Sequence, residues 1–162
     1  MAAPQPDDPS APLRLDRYLP YLINRAGVSL AARFSAALRD AGIALQDWRV
    51  LAALRERDGQ RLTELAQRTS IEVSTLSRLV GGLETAGLVS RSRDSGDARA
   101  IAIRLTTKGE QVTARLTPAA QQLEAVALAG LSEAEIAQLK SLLERIYGNL
   151  AALPASEDTV AK

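Results

Sequence analysis

The chain has 162 residues, of which 46% are hydrophobic and 24% charged, with a net charge of +1 and neither cysteine nor histidine. This is the composition of a globular chain with enough apolar material for a core. The missing thiols and imidazoles exclude disulfides, Cys/His metal sites and every catalytic arrangement that needs His or Cys. We therefore expect no metal site, no cofactor and no enzyme activity.

The two ends of the chain differ in composition from its middle. Four prolines among the first 12 residues predict a disordered leader over 1–12, and the polar residues 154–162 predict a flexible tail. No apolar run approaches the roughly 20 residues that span a bilayer, and the N-terminus lacks a signal-peptide pattern. We expect a cytoplasmic protein without membrane contact, with a single domain over 13–153.

Charge is distributed unevenly along the chain. Residues 61–109 carry eight basic and five acidic side chains, whereas residues 110–162 carry four basic and seven acidic ones. This segregation favours a face for a polyanion, although ordinary variation of a solvated surface produces the same pattern. Arginine supplies 17 of the 20 basic side chains, and its guanidinium can make bidentate contacts with phosphate or guanine.

Helical spacing of apolar side chains predicts two helices near the N-terminus, over 16–41 and 46–57. Asp58-Gly59 is a stop signal for the second helix. The first is about six turns long, and its apolar stripe needs a partner beyond one small core.

Residues 62–86 have the pattern of two short helices joined by a tight turn. Thr63 is the expected cap of the first helix and Glu72 the cap of the second. Apolar residues occupy the positions where crossed helices pack, namely Leu65, Ile71, Leu76 and Leu79. Polar residues occupy the outer face of the second helix, namely Ser74, Thr75, Ser77 and Arg78. The pattern is typical of a helix-turn-helix, although any two amphipathic helices with a short turn share it.

A hairpin is predicted directly after these helices, with strands over 88–93 and 100–105 joined by a polar turn. Arginines surround its tip, namely Arg91, Arg93 and Arg99. Asp97 can orient Arg99 through a charge-assisted hydrogen bond. A helix in the major groove with a wing arginine in the neighbouring minor groove suits DNA. The alternative for Arg91 and Arg93 is simple solvent exposure.

Two further helices are predicted after the hairpin. The first runs from Thr107 to about Ala129 and bends at Pro118; its cap is either Thr107, paired with Glu110, or Thr106. Ser132 and Glu135 form a capping box that starts the last helix.

Several segments of the sequence resemble the MarR family of bacterial regulators. They are Leu62-Thr63-Glu64-Leu65-Ala66, Ser74-Thr75-Leu76-Ser77-Arg78-Leu79-Val80, Leu83-Glu84-Thr85-Ala86-Gly87-Leu88-Val89, and Asp97-Ala98-Arg99 followed by Leu105-Thr106-Thr107-Lys108-Gly109. The resemblance implies a mostly α fold with a small β-wing. It implies a winged helix-turn-helix domain over 45–110, flanked by long dimerisation helices over 13–41 and 111–153. Gly81-Gly82 depart from the family pattern, which is usually polar and bulky at these positions.

The resemblance also implies a homodimer that binds a palindromic operator in double-stranded DNA, usually as a repressor released by a small ligand. The DNA-binding residues that we predict are Thr63, Ser74, Thr75, Ser77, Arg78, Arg91, Arg93, Asp97 and Arg99.

The family senses oxidants, metals or organic ligands, and the composition leaves the organic class. Aromatic walls with arginine suit a planar ligand that carries a carboxylate, or its thioester. The ligand-binding residues that we predict lie in the first two helices and are Arg17, Tyr18, Tyr21, Arg25, Trp48 and Arg49. The same residues also suit a dimer core with surface arginines.

Three other functions stay open at this point. One is a winged-helix module for protein–protein contact, another is a ligand-independent DNA-binding regulator, and the third is an activator. An enzyme has little support, because three lysines without His or Cys leave no recognisable base and nucleophile.

Overall fold

The structure, a computed structural model, describes residues 12–93 and 101–152. The elements in these ranges are, in chain order, α1 (Leu19–Asp40), α2 (Leu45–Glu56), β1 (Gln60–Arg61), α3 (Leu62–Thr69), α4 (Val73–Thr85), β2 (Val89–Arg93), β3 (Ile101–Leu105), α5 (Thr107–Ala127) and α6 (Glu133–Ala151). None of the helices in this part of the chain is long and apolar enough to cross a membrane. The predicted leader up to residue 11, the hairpin turn and the predicted tail lie outside the described residues.

The chain divides into two compact units between Leu123 and Glu124. The first unit contains α1 to α4, the three strands and most of α5, and the second contains the end of α5 and α6. The mostly helical fold with a small β-wing, which the sequence predicts, is confirmed. A single domain over 13–153 stays a prediction.

The core of the first unit lies between α2, α3, α4 and the sheet. Its completely buried side chains come from all of these elements: Val50, Leu51, Leu54, Leu65, Leu76, Val80 and Ile103. Burying one such side chain contributes about 1.5–3 kcal/mol. Only the last turns of α1 reach this core, through Phe34 and Leu38.

The sheet is antiparallel with strand order β1-β3-β2. Ile103 is the central residue, opposite Gln60 of β1 and Arg91 of β2. Gln60 is buried, and its amide donates to the carbonyls of Ala53 at 2.9 Å and Arg57 at 2.6 Å, which satisfies the end of α2. Burial along β3 does not alternate strictly, because Ala102 and Ile103 are both buried while Ile101 is 58% exposed.

The predicted cap of α3 is wrong. The helix starts at Leu62, immediately after β1, so that Arg61 is the capping residue and Thr63 lies within the first turn, exposed. The Glu64 carboxylate accepts the N–H of Arg61 at 2.8 Å.

The start of α5 resolves the choice between two caps in favour of Thr106. Its hydroxyl accepts the N–H of Gly109 at 3.1 Å and donates to the carbonyl of Gly87 at 2.7 Å. The helix continues through Pro118. The capping box of α6 is confirmed, since the Glu135 carboxylate accepts the N–H of Ser132 at 2.8 Å.

Two helices carry apolar faces that their own chain leaves exposed. No residue of α6 is buried. Its exposed apolar side chains are Leu139, Leu142, Leu143, Tyr147 and Leu150. The corresponding side chains on the first three turns of α1 are Leu19, Tyr21, Leu22, Ile23, Val28 and Leu30.

Candidate nucleic-acid interface

The second helix of the helix-turn-helix, α4, begins with an acidic cap. The Glu72 carboxylate accepts the hydroxyl of Ser74 and the N–H groups of Ser74 at 2.9 Å and Thr75 at 3.0 Å. These bonds lower the pKa of Glu72 from 4.5 to about 2, led by the Ser74 hydroxyl. The predicted cap is confirmed, and its carboxylate stays ionised at every physiological pH.

The outer face of α4 is polar and accessible. Ser74, Ser77 and Arg78 are exposed and Thr75 is half-buried, whereas the opposite face is buried in the core. Arg78 Nη2 donates to Thr75 Oγ1 at 3.3 Å. The arrangement resembles that of the recognition helices of DNA-binding proteins, in which N-terminal residues contact base edges.

Ser74 presents a hydrogen-bond acceptor on this face. A serine hydroxyl has one hydrogen, and that of Ser74 is donated to Glu72. The remaining lone pairs of Oγ can accept from the amino group of adenine or cytosine.

The turn between α3 and α4 has the geometry of a helix-turn-helix. Ser70 closes α3 in the left-handed region at φ 54°, where glycine is common. Ile71 donates its N–H to the carbonyl of Ala66 at 3.3 Å, and both side chains are buried. The packing predicted for the two helices is confirmed for Leu65, Ile71 and Leu76, with Leu79 partly buried against the core.

Asp58 ties the wing to the end of α2. Its carboxylate accepts the N–H of Leu105 at 2.9 Å and a guanidinium N–H of Arg104 at 3.1 Å. Gly59 has φ +70°, and a Cβ there would lie 2.8 Å from Arg104 Nη1. Sequence reasoning assigned Asp58-Gly59 only a helix stop, because Arg104 is far away along the chain.

The start of α5 packs against the other end of the wing. A Cβ on Gly109 would lie 2.1 Å from the carbonyl oxygen of Leu88. Beside it, Lys108 Nζ donates to the carbonyl of Ala86, which caps α4, at 2.8 Å. These contacts fix the path of the chain from α4 into β2.

The two described wing arginines have different surroundings. Arg91 forms an ion pair of 2.7 Å with Glu84 of α4, and both side chains are partly exposed. Arg93 is exposed at the end of β2. Asp97 and Arg99 lie outside the described residues, so their predicted roles stay predictions.

In the part of the chain that the structure describes, four of the six predicted ligand-binding residues line two separate cavities. Arg17 and Tyr18 line a cavity of about 350 Å³, while Trp48 and Arg49 line another of about 370 Å³. Tyr21 and Arg25 are exposed on α1.

The second of these cavities combines aromatic and cationic walls. Trp48 packs edge-to-face on Phe34, with ring centroids 5.4 Å apart. Arg68 of α3 reaches the same cavity and pairs with Glu56.

A third cavity of about 520 Å³ lies between the α1–α2 turn and α4, with Ile43, Asp47, Arg78, Leu79 and Gly82 in its walls. The sequence did not predict this cavity, because its walls come from two separate segments of the chain. Among the described residues, no three acidic side chains are grouped so that they could hold a metal ion.

The helix-turn-helix followed by a β-hairpin makes this a winged-helix protein of the kind that regulates transcription. A family model for the MarR family matches residues 43–101. The HTH-type transcriptional repressor Mb2911 of Mycobacterium bovis is 29% identical over 131 residues, which are 81% of this chain and 94% of the repressor.

Solved structures agree with this match. The MarR family transcriptional regulator SPO1453 from Silicibacter pomeroyi is 30% identical, with a TM-score of 0.72 over 86% of this chain and 99% of its own. BpsR from Bordetella bronchiseptica, whose DNA binding is regulated by 6-hydroxynicotinic acid, is 25% identical, with a TM-score of 0.74 over 85% of this chain and 98% of its own. The chain belongs to the MarR family of transcriptional regulators.

Proposed function

We propose that the chain is a homodimeric cytoplasmic repressor that binds a palindromic operator and is released by a small organic ligand. The observation that carries the proposal is the exposed polar face of α4 beside the wing. Its four residues combine acceptors and donors for base edges, while the other face anchors the helix in the core.

DNA recognition divides between α4 and the wing in this proposal. Ser74, Thr75, Ser77 and Arg78 enter the major groove, where Arg78 reaches a guanine edge or a phosphate. Arg93 and Arg99 follow the neighbouring minor groove, with Asp97 orienting Arg99. Thr63, exposed in the first turn of α3, contacts the DNA backbone.

The exposed apolar faces of α1 and α6 support the proposed dimer. Four leucines of α6 are between 40% and 64% exposed, a face that a single chain leaves in water. A two-fold dimer buries the same patch on both chains and places two recognition helices about 34 Å apart, the spacing of successive major grooves.

The proposed effector is an aromatic carboxylate or its thioester. Support comes from the arginines beside Trp48 and Tyr18, since an aromatic wall with a guanidinium suits such a ligand. BpsR, a relative of similar fold, is regulated by 6-hydroxynicotinic acid, which belongs to this class.

Two titrations test the proposal. Fluorescence anisotropy with the duplex upstream of the gene measures sequence-specific binding, and a shuffled duplex is the control. A module for protein–protein contact would bind both duplexes equally weakly.

A thermal-shift screen of aromatic acids, including 6-hydroxynicotinic acid, and of their thioesters tests the effector class. A ligand that binds the folded chain raises its Tm by mass action. A hit should also weaken operator binding. Operator binding that none of the acids or thioesters weakens would contradict the proposed effector class.

A further inference from the structure

The recognition helix carries a carboxylate that faces the wing. Glu84 lies on the last turn of α4, and its Oε2 is 2.7 Å from Arg91 Nη1 of β2. The side chains are 38% and 37% exposed, respectively, so the pair lies at the surface. One of the arginines predicted to contact DNA is thus neutralised by the domain itself.

Arg78 differs from Arg91 in this respect. Its hydrogen bond goes to the neutral hydroxyl of Thr75 at 3.3 Å. The nearby carboxylate of Glu72 is occupied by the hydroxyl and N–H of Ser74 and the N–H of Thr75. Arg78 thus interacts with the Glu72 carboxylate only through space, whereas Arg91 is bound directly to the carboxylate of Glu84.

The difference matters because phosphate contacts dominate the affinity of proteins for DNA. Each arginine that neutralises a phosphate releases a condensed counterion, and log K falls with log salt by about 0.9 for each such contact. An arginine that is paired with a carboxylate of the same chain must break that ion pair before it can contact a phosphate. The freed carboxylate then repels the phosphate.

We infer that Glu84 holds Arg91 away from the DNA backbone and so keeps the affinity of the winged domain below the level that its arginines would give. The inference rests on the proposed function, namely that α4 and the wing face DNA. Glu84 is a positioning residue here, since it acts through Arg91. The two side chains together carry no net charge, so the pair adds no net electrostatic attraction to DNA.

Three variants test this inference: Glu84→Gln, Arg91→Gln and the double variant. Affinity and its salt dependence are measured by anisotropy on the upstream duplex and on a duplex of mixed sequence. Glu84→Gln should bind both duplexes about 3–10-fold more tightly at ~0.1 M salt, with a salt slope steeper by about 0.9 per chain. The double variant should match the wild type in both quantities.

The matched control is Glu124→Gln, which breaks an exposed ion pair of 2.8 Å with Lys140 in the second unit. It adds the same net charge as Glu84→Gln and should leave the slope unchanged. Thermal unfolding verifies that each variant is folded, and Glu84→Ala should reproduce Glu84→Gln.

Two results would overturn the inference while leaving the proposed function intact. One is a double variant that binds as weakly as Arg91→Gln alone, because Arg91 would then contact DNA in the wild type. The other is a Glu84→Gln variant that binds no tighter than the wild type. A wild-type chain that binds neither duplex would instead refute the proposed function together with the inference.

Discussion

Gly109→Ala is expected to destabilise the chain, although alanine is the better helix former. Gly109 lies in the first turn of α5, where a Cβ would be 2.1 Å from the carbonyl oxygen of Leu88 and 3.1 Å from Leu105 Cδ2. The Leu88 oxygen is backbone and accepts the N–H of Thr106 at 3.1 Å. The added methyl group therefore has to separate α5 from the start of the wing.

The expected change in the free energy of unfolding is the sum of two costs and one gain. Forcing a methyl group into a packed contact costs about 1–3 kcal/mol, and weakening the hydrogen bond to Leu88 costs about 0.5–1.5 kcal/mol. The higher helix propensity of alanine offsets about 1 kcal/mol. The net loss is about 0.5–3.5 kcal/mol, which lowers the Tm by about 1–14 °C in a chain of this size.

Gly81→Ala is the matched control, because it makes the same chemical change inside a helix. No heavy atom other than those of the local chain lies within 4 Å of a Cβ built at Gly81. This variant should be stabilised by up to about 1 kcal/mol. Differential scanning calorimetry of the two variants measures both effects. Equal stabilisation of Gly109→Ala and Gly81→Ala would refute the close contact between α5 and the wing.

Three further predictions concern DNA binding and pH. Arg78→Ala should weaken operator binding by about 1–3 kcal/mol and relax the preference at one base pair per half-site if Arg78 reads guanine, measured on a library of single-base operator variants. Arg99→Ala should lower affinity on the same library and leave the base preferences of α4 intact; unchanged affinity would refute its place in the minor groove. The pKa of Glu72 in the folded chain, about 2, is below its ordinary 4.5, so the stability gained from its ionised cap is complete above pH 4.5 and is lost as pH falls through 2. Urea denaturation should accordingly show the stability difference between wild type and Glu72→Gln shrinking below pH 4.5, and a constant difference would contradict the cap.

Local patterns of the sequence predict the helix-turn-helix correctly, because its signals lie within a few residues of one another. The apolar positions Leu65, Ile71 and Leu76 and the cap Glu72 are all encoded within one short segment. Thr63 is not the cap, because α3 begins at Leu62, directly after β1. A two-residue strand has no alternation that a sequence pattern can reveal.

Contacts between distant residues were beyond sequence reasoning. Asp58 and Arg104 stand 46 positions apart and meet only because β3 is the central strand. Glu84 and Arg91 are close along the chain, but they belong to different elements, α4 and β2, so neither a helical nor a strand period pairs them. The aromatic residues of the first two helices do not by themselves define the proposed ligand site, since Trp48 and Tyr18 line separate cavities of the chain.

The most direct test of DNA recognition by a two-fold dimer is a binding selection with the full chain on a random duplex library, read by sequencing. We expect enrichment of an inverted repeat whose half-sites are centred about one helical turn, or ~34 Å, apart. Enrichment of a single half-site would contradict the dimer. A selected pool with the same composition as the input would contradict sequence-specific DNA binding itself.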